Sequence, residues 1–213
     1  MDRLASLSEL AKLRDRLKAD ADPTIPTIVI PAGACGQASG ANDLIRVTKR
    51  ELLARGLNDR VRLRITGCHG FCKMEPSVLV EPAGTFYPRV GIGDMPKIVE
   101  AVAAGKVLSH LLFTDPETGA PIERQADIPF FKGQQRAILA ANERVDPIRI
   151  FTSVENGGYR AFAEVLERGS PAWVIDQVKT SGLRGRGGAG FPTGVKWEVL
   201  AARDGSRDRK SVV

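Results

Sequence analysis

The chain has 213 residues and a formal net charge of +6, a length that fits one large domain or two small ones. Apolar residues make up 43% and charged residues 26%, which favours a packed protein and excludes a disordered one. The sequence has no apolar run near the roughly 20 residues of a membrane-spanning helix, no secretory signal and only three cysteines, so we predict a cytoplasmic protein without a membrane span or a disulfide framework.

The first half of the chain alternates between helical and strand patterns. Leucines spaced by three and four residues predict helices, β-branched or alternating runs predict strands, and prolines and glycines end them. The resulting order, β-α-β followed by β-β-α, is that of a complete small α/β domain. In chain order we predict a helix over 4–17, a buried strand over 27–30, a helix over 41–55 with Ser39 or Asn42 as N-cap and Gly56 as stop, a strand over 61–65, a hairpin of 78–81 with 86–90, and a helix over 95–104 capped by Asp94.

The second half is mostly helical. Residues 113–128 are rich in proline and show no periodic apolar pattern, which predicts a linker. We then predict helices over 131–142, over 150 or 154 to 168, and over 171–180 with Ser170 as N-cap, and the beginning of a strand within 207–213.

A glycine-rich segment follows the last predicted helix, with six glycines in residues 181–194. Glycine lets backbone N–H groups approach an anion, and Pro192 can open a helix whose positive end faces the same anion. Positive charge is concentrated here, since residues 184–210 hold seven Lys and Arg against three Asp and Glu. The spacing matches neither a Walker A loop nor a dinucleotide fingerprint. We interpret the segment as a phosphate site, with a flexible surface loop as the alternative.

The cysteines lie in two predicted loops. Cys68 and Cys72 form a C-x3-C pair after the second predicted strand, and Cys35 follows the first. Thiolates gathered at one end of a sheet can hold a metal ion or an iron–sulfur cluster, and buried structural cysteines are the alternative. His69 could suggest zinc, but it is adjacent to Cys68, whereas a zinc knuckle normally has wider spacing.

The run SGLRGRGGAGFPTGVKW at 181–197 resembles the FMN-binding loop of the flavoprotein subunit of respiratory complex I and of its soluble hydrogenase and formate dehydrogenase relatives. The similarity extends from about residue 128 to the end of the chain. It implies FMN as cofactor and NADH as the substrate that stacks over the flavin; it assigns no catalytic residue. The implied FMN contacts are Gly185, Arg186, Gly187, Gly188, Ala189, Gly190 and Lys196.

Residues 27–112 resemble the thioredoxin-like 2Fe–2S ferredoxin domain that accompanies the same flavoprotein, chiefly in the phrase from Thr66 to Cys72. The resemblance implies a 2Fe–2S cluster with Cys35, Cys68 and Cys72 as metal ligands. That family uses two cysteines in the first loop, where this chain has Cys35 only. His69, Ser39 or a water could supply the fourth ligand, or the domain could be a docking module that has lost its metal.

We therefore predict an α/β protein with a thioredoxin-like α/β domain, a helical lead-in and the start of an α/β FMN-binding domain. The expected boundaries are an N-terminal helix in 1–26, the ferredoxin-like domain in 27–112, the linker in 113–128 and an incomplete flavoprotein domain in 129–213. The missing part of such a flavoprotein would carry a 4Fe–4S cluster, so the sequence is interpreted as an N-terminal fragment or a truncated product.

The predicted function is that of the N-terminal portion of a flavoprotein subunit that passes electrons from NADH through FMN to iron–sulfur clusters. We expect weak or absent FMN binding and no NADH oxidation by this chain alone. The expected partners are other iron–sulfur subunits of a multi-subunit oxidoreductase, at the cytoplasmic face of a membrane complex or in the cytoplasm. The alternative is a docking or assembly module without flavin. Nucleic-acid binding is disfavoured, because aromatic residues make up only 6% of the chain and no recognition motif occurs.

Overall fold

The computed structural model describes residues 4–137 and 139–203. The chain divides into two compact units, Met1–Gly158 and Tyr159–Val213.

The first unit is built on a mixed sheet whose strands, among the described residues, are β1 (Thr27–Pro31), β2 (Arg62–Thr66), β3 (Val78–Glu81) and β4 (Thr85–Tyr87). Their order across the sheet is β2-β1-β3-β4. β1 runs parallel to β2 and antiparallel to β3, and β3 and β4 form the expected hairpin. This sheet, with β-α-β followed by β-β-α connectivity, confirms the predicted α/β fold class.

The helices of the described residues are, in chain order, α1 (Leu7–Ala19), α2 (Ala34–Ala38), α3 (Ala41–Ala54), α4 (Met95–Ala103), α5 (Pro129–Lys132), α6 (Ile150–Glu155), α7 (Arg160–Arg168), α8 (Pro171–Thr180) and α9 (Thr193–Ala201). None of these helices is long and apolar enough to cross a bilayer.

The caps of the first helices differ from the sequence-based expectation. Ser6 caps α1, since its hydroxyl accepts a hydrogen bond from the Glu9 N–H at 3.2 Å. Gly40, with φ of 104°, precedes α3 and offers no side-chain cap, so the prediction of Ser39 or Asn42 as N-cap was wrong. Asp94 precedes α4, but its carboxylate accepts from the Gly91 N–H instead of from the helix.

The core of the first unit lies between the sheet and helices α3 and α4. The β-branched residues of β1 follow one another directly, without polar residues between them, because both faces of this central strand are covered. The buried side chains include Ile28, Ile30, Leu44, Leu52, Val78, Met95, Ile98 and Val99. Most periodic apolar positions of α3 and α4 therefore lie in the core, whereas Leu53 of α3 is 73% exposed.

Residues 113–128 are packed onto the first unit rather than extended as a linker. Strands β5 (Phe113–Thr114) and β6 (Pro121–Ile122) form a short hairpin, and the Phe86 N–H donates to the Glu123 carbonyl at 2.9 Å. Phe113 and Ile128 are buried with Phe86 in a second apolar cluster. The apolar residues that make these contacts show no helical or strand period, so a pattern search does not detect them.

The chain after residue 128 departs from the predicted helices. Helix α5 ends at Lys132, and the described residues from 133 to 149 form turns and irregular structure, so the predicted helix over 131–142 was wrong beyond its first residues. The helix predicted to end at Arg168 is interrupted at Gly157, which has φ of 90°. It is present as α6, in the first unit, and α7, in the second.

The second unit contains α7, α8 and α9 with the glycine-rich segment before α9. Ser170 caps α8 as predicted, because its hydroxyl accepts from the Trp173 N–H at 3.3 Å. Helices α8 and α9 are tied by Lys179, whose ammonium donates to Glu198 at 2.8 Å. Trp173 lies under the Arg168 guanidinium, 4.3 Å from ring centroid to Cζ. The strand predicted within 207–213 lies outside the described residues.

Candidate functional site

The glycine loop, residues 184–192, is a narrow loop closed at its base. Arg184 and Pro192 form an antiparallel bridge, the Gly185 N–H donates to the Phe191 carbonyl at 2.9 Å, and the Gly190 N–H donates to the Gly187 carbonyl at 3.0 Å. The Arg184 guanidinium adds a hydrogen bond to the Gly190 carbonyl at 3.3 Å. These bonds fix the loop at its two ends while its tip projects into solvent.

The tip of the glycine loop presents unused backbone donors. Within the part of the chain that the structure describes, the N–H groups of residues 186–189 have no hydrogen-bond partner, and these four residues are exposed. A Cβ added at Gly187 or Gly188 would meet no atom within 4 Å. Adjacent N–H groups beside open space are the donors that a phosphate needs, so the residues present fit a phosphate-bearing cofactor.

Helix α9 begins directly after the glycine loop, with Pro192 at its N-cap, which confirms that a helix opens at this proline. The helix start places partial positive charge next to the loop. Lys196 is exposed in the first turn, and Arg186 is exposed on the loop itself. Both cations can add charge to an anion held by the N–H groups.

Two features of this site are not evident from the sequence motif. Arg184 supports the loop through the Gly190 carbonyl. Gly194 is buried against α8, where an added Cβ would lie 2.7 Å from the Lys179 backbone nitrogen. Only the contact itself reveals that Gly194 serves helix packing, because its spacing in the motif does not distinguish it from the phosphate-facing glycines.

The first cysteine loop (residues 32–40) and the second cysteine loop (residues 67–74) meet beyond the ends of β1 and β2. A Cβ added at Gly33 would lie 2.9 Å from the Cβ of Cys68, so the two loops are in close contact. The first loop, predicted to be irregular, contains the short helix α2, which carries Cys35. Cys35 and Cys72 are exposed and Cys68 is partly buried.

Neighbouring cysteines affect the pKa values of Cys68 and Cys72. Hydrogen bonding to Cys35 is the main cause that raises the pKa of Cys72, and hydrogen bonding from Cys68 opposes it. Burial raises the pKa of Cys68, while the Gly70 N–H, which donates to its sulfur at 3.2 Å, opposes the change. At neutral pH both thiols are therefore protonated in the free protein.

His69 is not available as a fourth ligand. Its side chain is 2% exposed, Nε2 is hydrogen-bonded to the Thr66 hydroxyl at 2.9 Å, and Nδ1 faces the Gln125 amide at 3.4 Å. Burial, with the charges of Arg136 and Arg64, lowers the His69 pKa to about 4. The imidazole is a neutral, hydrogen-bonded core residue.

A covering segment, residues 129–137 and 139–146, lies over the second cysteine loop. The Phe130 ring stacks on Phe71 with centroids 4.1 Å apart. The Arg136 guanidinium donates to the His69 carbonyl at 2.5 Å, and the Asn142 amide donates to the Cys68 carbonyl at 3.3 Å. The Gly67 N–H in turn donates to the Asn142 carbonyl. These contacts fix the backbone of the second loop and were not expected from the sequence.

The thiols do not complete the ligand set of a 2Fe–2S cluster. Such clusters are held by four cysteines, or by histidines in place of two of them. This chain has three cysteines, and both nitrogens of His69 are engaged. The described residues contain no group of three or more His, Cys, Asp or Glu side chains positioned to hold a metal ion. We therefore assign no electron-transfer step to these cysteines.

Comparison with known proteins identifies relatives of one class, subunits of NADH- and NADP-linked oxidoreductases. The chain is 49% identical over 69 residues to the NADP-reducing hydrogenase subunit HndC of Solidesulfovibrio fructosivorans, which is 32% of this chain and 14% of that protein. It is 40% identical over 80 residues to an NADH-quinone oxidoreductase F subunit of Rhizobium meliloti, which is 32% of this chain and 18% of that protein. No protein-family model matches.

Over these stretches the chain is a homologue of the F subunits of NADH-quinone oxidoreductases and of the hydrogenase subunit HndC, which confirms the resemblance found in the sequence. A third relative is the mitochondrial NADH-ubiquinone oxidoreductase 51 kDa subunit of Neurospora crassa, 48% identical over 54 residues, or 25% of this chain and 11% of that protein. The chain thus spans less than a fifth of the length of these relatives.

Solved structures similar to the chain include the thioredoxin-like [2Fe-2S] ferredoxin from Aquifex aeolicus, at 20% identity and a TM-score of 0.40, covering 43% of this chain and 98% of the ferredoxin. An NAD+-reducing [NiFe]-hydrogenase in the air-oxidised state is also similar, at 20% identity and a TM-score of 0.35, covering 91% of this chain and 33% of the hydrogenase chain.

Proposed function

We propose that this chain is a portion of an NADH-oxidising flavoprotein subunit and that its glycine loop binds the phosphate of FMN. The observation that carries the proposal is the run of unpartnered N–H groups at residues 186–189 in an exposed loop whose base is fixed. Homology to HndC and to the F subunits of NADH-quinone oxidoreductases supports it. We expect other subunits of such a complex as partners of the chain, and we expect a cytoplasmic location.

The residues of the loop would act by binding and orienting. The N–H groups of residues 186–189 would donate to phosphate oxygens, and Arg186 and Lys196 would neutralise the phosphate charge. Arg184, bonded to the Gly190 carbonyl, would keep the loop in its binding shape. FMN, when bound, supplies the chemistry of accepting two electrons from NADH and releasing them singly. The chain alone is expected to bind FMN weakly and not to oxidise NADH.

Titration of the full chain with FMN and with riboflavin, followed by flavin fluorescence, tests the phosphate assignment. We expect FMN to bind more tightly than riboflavin, because riboflavin lacks the phosphate. Arg186→Gln should weaken FMN binding by about 10-fold, the loss of one charge-assisted hydrogen bond, and leave riboflavin binding unchanged. Arg160→Gln is the matched control, since Arg160 is also exposed in the second unit.

Equal binding of FMN and riboflavin would contradict a phosphate site in the glycine loop. Absence of binding by either flavin would favour the second candidate function, a docking module without flavin. The observation in its favour is an apolar groove of about 610 Å³ in the second unit, lined by Val165, Leu166, Val174, Ile175, Trp197 and Leu200 among others. Exposed grooves of this kind are common at protein interaction sites.

A further inference from the structure

The second cysteine loop is held along its backbone by the covering segment. The Gly67 N–H donates to the Asn142 carbonyl at 3.2 Å, and the Cys68 carbonyl accepts from the Asn142 amide at 3.3 Å. The next carbonyl, that of His69, accepts from the Arg136 guanidinium at 2.5 Å. The covering segment thus binds three consecutive residues of the loop, and the middle one is the partly buried Cys68.

The covering segment itself buries little. Among its described residues only Asp146, at its end, is buried, and those from 133 onward form turns and irregular structure. Phe130 stacks on Phe71 but is still 38% exposed. Segments with few buried apolar contacts open locally at a free energy below that of global unfolding. The covering segment can therefore detach while the sheet and its core stay folded.

We propose that the covering segment opens by local unfolding and thereby controls the access of solvent reagents to the Cys68 thiol. When the segment is seated, its bonds to the loop backbone keep the second cysteine loop closed and Cys68 shielded. Cys35 and Cys72 are exposed with the segment seated, so Cys68 is the thiol that gains access when it opens. Arg136 and Asn142 are positioning residues, because they act on this thiol through the backbone of the loop.

The first cysteine loop also contacts Cys68, since a Cβ added at Gly33 would lie 2.9 Å from the Cys68 Cβ. That loop follows β1 directly, and its Gly36 is buried against the Pro31 carbonyl, where an added Cβ would lie 2.6 Å from the oxygen. It is therefore part of the packed structure at the end of the sheet. The covering segment is the side of the enclosure that can move.

This inference goes beyond the proposed flavin function and does not depend on it. The covering segment and both cysteine loops belong to the first unit, whereas the glycine loop belongs to the second. Failure of flavin binding would therefore leave the inference intact, and failure of the inference would leave the phosphate site intact.

Labelling of the reduced full chain with N-ethylmaleimide, quenched at intervals and read for each cysteine by peptide mass spectrometry, tests the proposal. We expect Cys68 to react about 10-fold or more slowly than Cys35 and Cys72, because it reacts only from the open state. In urea below the global transition the Cys68 rate should stay nearly constant, since opening a short segment exposes little surface. Circular dichroism of the same samples locates the global transition.

Variants of the two positioning residues make the test specific. Asn142→Ala should raise the Cys68 rate by about 5-fold, for one neutral hydrogen bond, and Arg136→Ala by about 10-fold, for a charge-assisted one. The rates of the two exposed thiols should not change in either variant. Arg144→Ala is the matched control, since Arg144 is exposed in the same segment, and it should leave all three rates as they are.

The proposal is overturned if Cys68 reacts as fast as the exposed thiols, or if neither variant changes its rate. Equal acceleration of all three thiols in the variants would also overturn it, because that result indicates general loosening of the unit. A Cys68 rate that rises with urea as steeply as global unfolding would show that the thiol is reached only when the whole unit unfolds. This urea dependence is measured on the unchanged chain, so it decides the question even if a variant fails to fold.

Discussion

His69 has a structural role, although its place in the sequence suggests a metal ligand. Between two cysteines in sequence it resembles a ligand, but its burial and its bonds to Thr66 and Gln125 make it a neutral part of the core. Its pKa of about 4 follows chiefly from burial, with repulsion by Arg136 and Arg64. A buried neutral histidine links folding to pH.

The stability of the first unit should fall as the solution is acidified below neutrality. The unfolded chain binds a proton at His69 near pH 6.5, whereas the folded chain binds it only near pH 4, so the contribution of His69 is present above pH 6.5 and is lost as the pH falls from there toward 4. Between pH 7 and pH 5 the expected loss is about 2 kcal/mol. Denaturant unfolding at each pH measures it.

The chain has two histidines, and the second provides the control for this experiment. His110 is exposed, so His110→Asn is the control that removes a histidine without disturbing the buried hydrogen bonds of His69. His69→Asn should be less stable at pH 7 but should lose much less further stability by pH 5. The same slope in His69→Asn and in the unchanged chain would show that another group causes the loss.

At the scale of elements, the pairing of α8 with α9 depends on Gly194. An added Cβ would lie 2.5 Å from the Lys179 Cγ and 2.7 Å from its backbone nitrogen, and the backbone cannot yield as a flexible side chain does. Gly194→Ala should therefore destabilise the second unit by about 1–3 kcal/mol through overpacking, despite the better helix propensity of alanine. Thermal unfolding followed by circular dichroism measures the change.

Gly187→Ala is the matched substitution in the glycine loop. A Cβ there meets no atom within 4 Å, so the unfolding temperature should stay the same while FMN binding weakens, because the methyl group occupies space beside the donors. The two variants separate a packing glycine from a ligand-facing one. If both variants lowered the unfolding temperature equally, the glycine loop would be part of the packed structure.

The elements that the sequence predicts well are those whose contacts repeat along the chain. Strand β1, helix α3 and helix α8 have periodic apolar positions or local caps, and Ser170 caps α8 as expected. The covering segment has no such period, because Asn142 and Arg136 bond to carbonyls of a loop more than sixty residues earlier. Such contacts depend on the tertiary fold, and local pattern cannot reveal them.

The candidate sites also combine features that the local sequence predicts with features that only tertiary contacts create. The glycine loop was found from composition and resemblance, since glycines and arginines in series are a local signal. The N–H groups of residues 186–189, which fit a phosphate, are unpartnered because of the particular hydrogen bonds that close the loop, and the sequence does not show those bonds. The contact between His69 and Gln125 could not be predicted from the sequence either, since these residues meet only after the segment from 113 to 128 packs on the sheet.

At the scale of the whole molecule, the two units differ in how much apolar surface they bury. The first unit contains the sheet and nearly all of the buried core. In the described part of the second unit, Gly194 alone is buried, and several large apolar side chains are half exposed or more, among them Phe162, Leu166, Phe191, Val199 and Leu200. Helices without a buried face are marginal in water.

Residues 1–158 expressed alone should therefore fold and unfold cooperatively in urea, whereas residues 159–213 alone should show low helicity and no cooperative transition. The boundary follows the division of the structure at Gly158. Far-ultraviolet circular dichroism and urea titration of both pieces and of the full chain provide the measurement. A cooperative transition in the second piece would show that its helices need no further partner, and loss of folding in the first would show that the division is misplaced.

The distribution of aromatic residues makes the two units optically distinct. Both tryptophans, Trp173 and Trp197, lie in the second unit. Indole emission therefore reports on that unit and not on the first unit. Trp197 is half exposed and directly follows Lys196 on α9. Because flavin absorbs light in the range where indole emits, binding at the glycine loop would quench this emission by energy transfer. The unmodified chain thus carries its own label for flavin binding, on the element that begins at the proposed phosphate site.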